Sequence, residues 1–353
     1  MTLFLLLGCG SGQQPQAGKD GEAATGGKSL SEVLMEVGRS AENAFYSFLE
    51  LFSDTLGFTV TKDTTKQQVG VYFSDLGGKL GKASAELEQV AVKSNTDVEK
   101  DGSIVIAIRS AVNSAKDTLN TLKGHLDSLK DMGDANQKVG EAASGDAAAQ
   151  GIKPADGALK NVYKALKGIV DTADKEGVER PKAGDTALNV TGVDNKDGAK
   201  ILSTNAAGNP VVGDVSKAAA ILATVSGEEM LASIVVSQEH DAELGAGANG
   251  NITAVSFAKG GNNDGNLANA AAKAAAVAGG IALRSLVKNG KLAKGAADNA
   301  TGGGKEVQGV GITAVNKLLG ALEDIIKKTV KNVLKTAKEK IDKARDPKAA
   351  GNE

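Results

Sequence analysis

The chain has 353 residues, with 41 Lys and Arg against 43 Asp and Glu, and only 3% aromatic residues with no Trp. A formal net charge of −2 lacks the basic footprint of a nucleic-acid binder, so no nucleic-acid partner is expected. With so few aromatics, the core must be built from Ala, Leu, Val and Ile on closely packed helices. The length suffices for a large core and for two domains of ordinary size. Past residue 8, no apolar run approaches the roughly 18 residues of a membrane-spanning helix, and the mature body is expected to be soluble and tethered.

The first informative element is Leu6-Leu7-Gly8-Cys9. An aliphatic residue three before a cysteine, a small residue just before it and a polar stretch after it resemble the lipobox of a bacterial lipoprotein, where the cysteine becomes the first mature residue. Cys9 is the only cysteine. A disulfide within the chain is therefore excluded, and the thiol is assigned to lipidation, as an S-diacylglycerol cysteine that is also N-acylated, with palmitate among the chains. One acyl group anchors marginally, at about 0.8 kcal/mol per buried CH₂, whereas two or three hold durably. A secretory signal has a basic start and an apolar stretch of about 7 to 15 residues, yet no Lys or Arg precedes Cys9. Residues 1–8 thus read as a signal peptide remnant, with the true start upstream of Met1. The competing reading, a short buried strand with a free thiol, fails because Gly10 to Gly27 offers it nothing to pack against.

Residues 9–28 read as a lipidated flexible tether with a reach of about 25 Å. Ser29-Leu-Ser-Glu32 has the spacing of a capping box. A helix is expected to follow with the stripe Leu30, Leu34, Val37, Ala41, Phe45, Phe48, Phe52, Leu56. These steps recur every 11 residues, which keeps one face inward along a nearly straight helix. Two further helices are expected, over Val69 to Ala91 and Ile104 to Leu129, the first introduced by a second capping box, Thr65-Lys-Gln-Gln68. Residues 29–132 therefore form the N-terminal helices of a bundle.

Residues 133–265 alternate short helices, such as Asp156 to Ala173 and Ser216 to Val225, with turn-forming clusters at Gly192 to Gly198, Gly245 to Gly250 and Gly260 to Gly265. They read as a variable, loop-rich distal region whose loops bury little. Ile252 to Phe257 looks strand-like. Residues 266–346 form the C-terminal helices: an Ala-rich helix over Leu267 to Lys288 with Asn289-Gly290 as its C-cap, a flexible link over Asp298 to Gly304, then a long helix. Its stripe runs Val315, Leu319, Leu322, Ile326, Val330, Val333, Ala337, Ile341, Ala344, again with the 11-residue period, with Lys327, Lys328, Lys331, Lys335, Lys338 and Lys343 largely opposite. Residues 347–353 read as a disordered tail. The expected fold is all-α: an elongated bundle of long amphipathic helices, both termini at the membrane-proximal end and the loop-rich region distal.

No catalytic residue, cofactor site or metal site is nominated. Gly245-Ala-Gly247-Ala-Asn-Gly250 has the spacing of a dinucleotide fingerprint but not its strand-to-helix context. Gly26-Gly27-Lys28-Ser29 follows the tether instead of a buried strand, and Gly302-Gly-Gly-Lys305 is followed by Glu306, with no hydroxyl for magnesium. The histidines, His125 and His240, lie far apart. His125, beside Leu122, Leu126 and Leu129, is expected at the edge of the core.

The lipobox, the long terminal helices and the Gly-rich middle together resemble the variable large proteins of relapsing-fever spirochaetes, a family related to the surface lipoprotein VlsE. Met1 to Cys9 is similar to that family's signal end, and Ser47-Phe-Leu-Glu-Leu-Phe-Ser-Asp-Thr-Leu-Gly-Phe58 and Val71-Tyr-Phe-Ser-Asp-Leu-Gly-Gly-Lys-Leu80 to its first two helices. Ala270 to Lys294, including Ile281-Ala-Leu-Arg-Ser-Leu-Val-Lys-Asn-Gly-Lys-Leu292, is similar to its constant segment. The resemblance implies a non-enzymatic lipoprotein of the cell outer membrane, lipid-anchored and facing the exterior. It further implies an antigenically variable major surface antigen, expressed one copy at a time, with host antibodies as its partners and immune evasion as its outcome. A homodimer is left open. The alternative function is a surface adhesin binding host glycans or matrix through Lys-rich helices.

Overall fold

A computed structural model describes residues 36–40, 43, 56–93, 103–145, 147–190, 192–261 and 264–345. Cys9, the tether, the tail and most of the helix expected from Leu30 to Leu56 lie outside the described residues. The chain folds as a helical protein with helices α1 (Lys66–Lys93), α2 (Ser103–Asp127), α3 (Asp156–Lys175), α4 (Asp214–Ala223), α5 (Gly227–Val235), α6 (Ala254–Lys259), α7 (Asp264–Leu267), α8 (Ala274–Leu286) and α9 (Gly304–Arg345). Among the described residues, two 3₁₀ turns (Lys196–Leu202 and Ala206–Gly208), one antiparallel hairpin of β1 (Asn189–Val190) and β2 (Val193–Asp194) and a helical stretch over 36–40 accompany them. Among the described residues, no single helix is long and apolar enough to cross a membrane.

α1 begins where the capping box places it. Gln68 N donates to Thr65 Oγ1 at 3.2 Å, and Thr65 N donates to Gln68 Oε1 at 2.7 Å. Its buried residues Val69, Phe73, Leu76, Leu80, Ala83, Leu87 and Val90 repeat every seven residues. So do Ile108, Val112, Ala115, Leu119, Leu122, Leu126 and Leu129 along and just past α2. Two such seams pack as an antiparallel pair in coiled-coil fashion. Gly70 and Gly77, seven apart, let the backbones close up, since a Cβ on Gly70 would lie 2.3 Å from Lys130 O.

α9 carries the 11-residue stripe as expected: Val315 to Ile341 are buried at every stripe position, and the six lysines face solvent. At about 1.5 Å per residue its 42 residues span about 63 Å. The segment before α1 is tied to it. Val60 N donates to Asn316 Oδ1 at 2.8 Å, Asn316 Nδ2 donates to Val60 O at 3.1 Å, and Gly57 N donates to Glu323 Oε2 at 3.0 Å. Tyr72, stacked on Phe58 at 4.7 Å, donates to Glu323 as well.

The middle of the sequence is organised around α8, of which every residue is buried. α6 crosses it at Gly279 and Gly280, where a Cβ on Gly280 would come within 2.5 Å of Phe257 Cβ. α4, α5 and α9 close the other sides. One continuous apolar core runs from Val37 through α8 to Ile341.

Three local expectations are corrected. Ile252 to Phe257 contributes to α6 and not to a strand. Thr253 caps that helix, its Oγ1 accepting from Ser256 N at 3.2 Å, and the segment is buried on all sides, which removes the periodic signal that separates helix from strand. The Ala-rich helix starts at Ala274 and not Leu267, because Leu188 N donates to Ala272 O and Ala274 N to Thr186 O, holding the preceding residues extended. It ends at Leu286, with Val287 extended and Asn289 at φ 68°.

Candidate functional site

Three glycine-bounded loops are the candidates for an exposed variable surface, and they are not equivalent. In Gly192 to Gly198 the hairpin end is open, with Val193 59% exposed, but Gly198 is buried and a Cβ there would lie 2.4 Å from Ala218 N. In Gly245 to Gly250, Gly245, Ala246, Gly247 and Asn249 are exposed, while Ala248 is fully buried, its N donating to Asn266 O at 2.9 Å. Gly260, at φ 91°, is wedged between Arg284 Nη2 and Leu202 O. Gly261 O accepts from Thr204 N, and Gly260 O accepts from Leu244 N. The expectation that these loops bury little thus fails at Gly198, Ala248 and Gly260, because the loops brace one another over α8.

Beneath them are cations that the sequence reading missed. Lys66 is fully buried, and its Nζ donates to the carbonyls of Arg284 (3.3 Å), Val287 (2.8 Å) and Gly290 (2.5 Å). An ammonium has three protons to donate, so it serves the carbonyls that the end of α8 leaves open. Burial pushes its pKa down to about 7, opposed by Glu141. Arg284 is fully buried, its Nε donating to Ala258 O at 2.8 Å, and burial lowers it to about 9. A signal for Lys66 was present: it falls seven before Phe73 on the buried stripe of α1.

The remaining sequence candidates resolve as follows. His125 is half-buried with its ring against Gly168 of α3, where burial lowers its pKa. His240 is exposed. Among the described residues, no three His, Cys, Asp or Glu side chains are grouped to hold a metal. Gly245 to Gly250 is separated from α6 by three residues and is preceded by no strand. The Gly302-Gly-Gly run does open a helix, but Gly302 N donates to Glu306 Oε2 at 2.6 Å, so a carboxylate of the protein itself takes that anion-binding amide. Gly26 to Ser29 lies outside the described residues. An open groove of about 590 Å³ separates α4 from the start of α9, floored by Val215, Leu222 and Val310. Lys317 at its edge donates to the Leu222 and Val225 carbonyls. On α9, Lys328, Lys335 and Lys338 pair with Asp324, Glu339 and Asp342 of the same helix, which neutralises half of its lysine face.

The comparisons with known proteins agree with this architecture. A family model described as Borrelia lipoprotein matches residues 41–341. Variable large protein 25 of Borrelia hermsii is 62% identical over 99% of this chain and 95% of its own length. Variable large protein 7 of the same organism is 62% identical over 98% and 92%. Among solved structures, the Lyme disease variable surface antigen VlsE of Borrelia burgdorferi superposes with a TM-score of 0.70, covering 88% of this chain and 98% of that one at 23% identity, a likeness of fold. Matched along nearly its whole length by the variable large proteins, the chain belongs to the Borrelia lipoprotein family.

Proposed function

We propose that the protein is an outer-surface lipoprotein held in the outer membrane by acyl chains on Cys9, and that its distal loops are the surface host antibody meets. Replacing it with a sibling copy, one displayed at a time, would then evade antibody raised against it. The observation that carries this reading is the 62% identity to variable large proteins over nearly the full chain, on a fold whose core is continuous while parts of its loops stay exposed. The orientation has support of its own. Ser40 Oγ accepts from Lys93 Nζ at 2.8 Å, at the far end of α1. α1 and α9 run the same way, since Gln308 Nε2 donates to Lys62 O just before α1 and Tyr72 within α1 meets Glu323. These contacts support the reading that both termini lie toward one end of the bundle, away from the loops over α8.

Two measurements test the reading. Cys9→Ser should abolish fatty-acid incorporation and detergent-phase partitioning without unfolding the body; continued partitioning of the variant would refute the anchor. Grafting a sibling's residues onto the open positions 192–194, 245–247 and 249 should preserve folding while sera against this copy lose binding to intact cells. Undiminished binding would remove these loops from the antigenic surface. The adhesin alternative is disfavoured by the pairing of α9 lysines with acids of the same helix.

A further inference from the structure

The sequence contains two Asn-Gly steps, Asn249–Gly250 and Asn289–Gly290, and the fold treats them in opposite ways. An asparagine before glycine is chemically vulnerable, because the next backbone nitrogen carries no neighbouring side chain to hinder its approach to the amide carbon. At the first step, Asn249 is exposed and Gly250 N–H has no hydrogen-bond acceptor among the described residues. Asn249 Oδ1 accepts from Asn251 N at 2.8 Å. That bond curls the Asn249 amide back over the Gly250 peptide and sets a donor where negative charge would develop on the amide oxygen.

At the second step the peptide is fixed on every side. Gly290 N donates to Val287 O at 3.1 Å, Gly290 O accepts from Lys66 Nζ at 2.5 Å, and Asn289 N donates to Gln137 Oε1 at 2.9 Å. A Cβ on Gly290 would lie 2.2 Å from Arg284 O. The nitrogen that would have to attack is engaged with the carbonyl end of α8.

We infer that Asn249–Gly250 is a site of spontaneous deamidation in the folded protein and that Asn289–Gly290 is protected. The Gly250 nitrogen, having given its proton to hydroxide, attacks Asn249 Cγ. A new bond closes the ring between that nitrogen and Cγ, the bond from Cγ to Nδ2 breaks, and the amide leaves as ammonia. Water then opens the cyclic imide at either carbonyl, giving aspartate or isoaspartate. One water is consumed, one ammonia is released and the exposed loop gains one negative charge. A single copy of the antigen would thus present two charge forms of one loop, and the chemistry holds whether or not antibody is what meets it.

The test is peptide mapping by mass spectrometry of the full-length protein, aged at neutral and mildly alkaline pH, with isoaspartyl methylation as a second readout. The Asn249 peptide should gain the mass of an amide-to-acid conversion several-fold faster than the Asn289 peptide, and faster as pH rises. Unfolding in urea should bring the two rates together. Gly250→Ala, whose Cβ would meet only Ala271 O at an ordinary 3.5 Å, should slow conversion several-fold, and Asn249→Gln should suppress it whether or not the alanine variant folds. Equal rates at both steps in the folded protein, or an Asn249 peptide that stays intact while the unfolded protein converts, would overturn the inference.

Discussion

α1, α2 and α9 bury mainly long side chains along one face, with close backbone approach at Gly70 and Gly77, whereas around α8 bare backbone forms several of the crossings. In the first region Phe73, Leu80, Leu122 and Ile326 fill the interior; in the second, Gly198, Gly279 and Gly280 sit where a Cβ would strike a neighbour. The two constructions respond differently to substitution. A seam of leucines accepts another apolar residue of similar volume. A backbone contact accepts no side chain, however conservative. Substitution in the region around α8 is therefore expected to be tolerated at positions that project, such as Val193 and Gly247, and to be costly one or two residues away.

The largest effect that would test this contrast is expected in the stem. Ile326→Asp places an unpaired charge in the core and should cost on the order of 4 kcal/mol, seen as a lost or strongly lowered unfolding midpoint. A midpoint unchanged by it would mean that the stripe of α9 is not buried. Around α8, Gly280→Val should cost about 3 kcal/mol by overpacking α8 against α6, although it adds only apolar atoms. Chemical denaturation showing less than a third of that loss would show that the two helices can part.

Lys66 sharpens the comparison because it joins the two halves. Its folded pKa is lowered to about 7 from the ordinary 10.5, so between those values the unfolded state binds more protons than the folded one. Stability from this group therefore rises with pH through that window, with a slope of at most about 1.4 kcal/mol per pH unit, and its loss is complete once pH has fallen to about 7. Lys66→Met should flatten that rise while leaving the end of α8 without its donor; a wild-type profile in the variant would assign the pH dependence elsewhere. The smallest effect is expected at Gly247→Ser, within about 0.5 kcal/mol, because a Cβ there meets nothing closer than 3.6 Å. Gly260→Ser, at φ 91° and 2.4 Å from Arg284 Nη2, should be clearly destabilised, and equal midpoints for the pair would erase the distinction between projecting and bracing loop residues.

The parts legible in the sequence were those where one face is wet. α1 announced itself through Thr65 and Gln68 and through a stripe of large residues, and α9 through an 11-residue period with lysines opposite. Ser226 and Glu229 form a complete capping box at the start of α5, a signal that the sequence reading missed. What stayed hidden has no wet face. α8 is buried all round, so its periodicity could not fix its ends, and Ala254 to Ala258 of α6 are likewise all buried, which left no helical period to read. Lys66 and Arg284 look like ordinary surface residues until α8, which carries Arg284, is packed against the start of α1.

The continuity of α9 has a consequence of length. One helix serves both halves, meeting α2 and α3 along its later turns and α4, α5 and α8 along its earlier ones, so it works as a ruler with about 1.5 Å per mark. Adding a single residue within it would turn everything beyond by about 100° and present lysines to the core. Adding 11 would restore the facing and lengthen the helix by about 16 Å. The interior between Val307 and Ile341 thus accepts a change of length only in steps that keep the buried stripe inward.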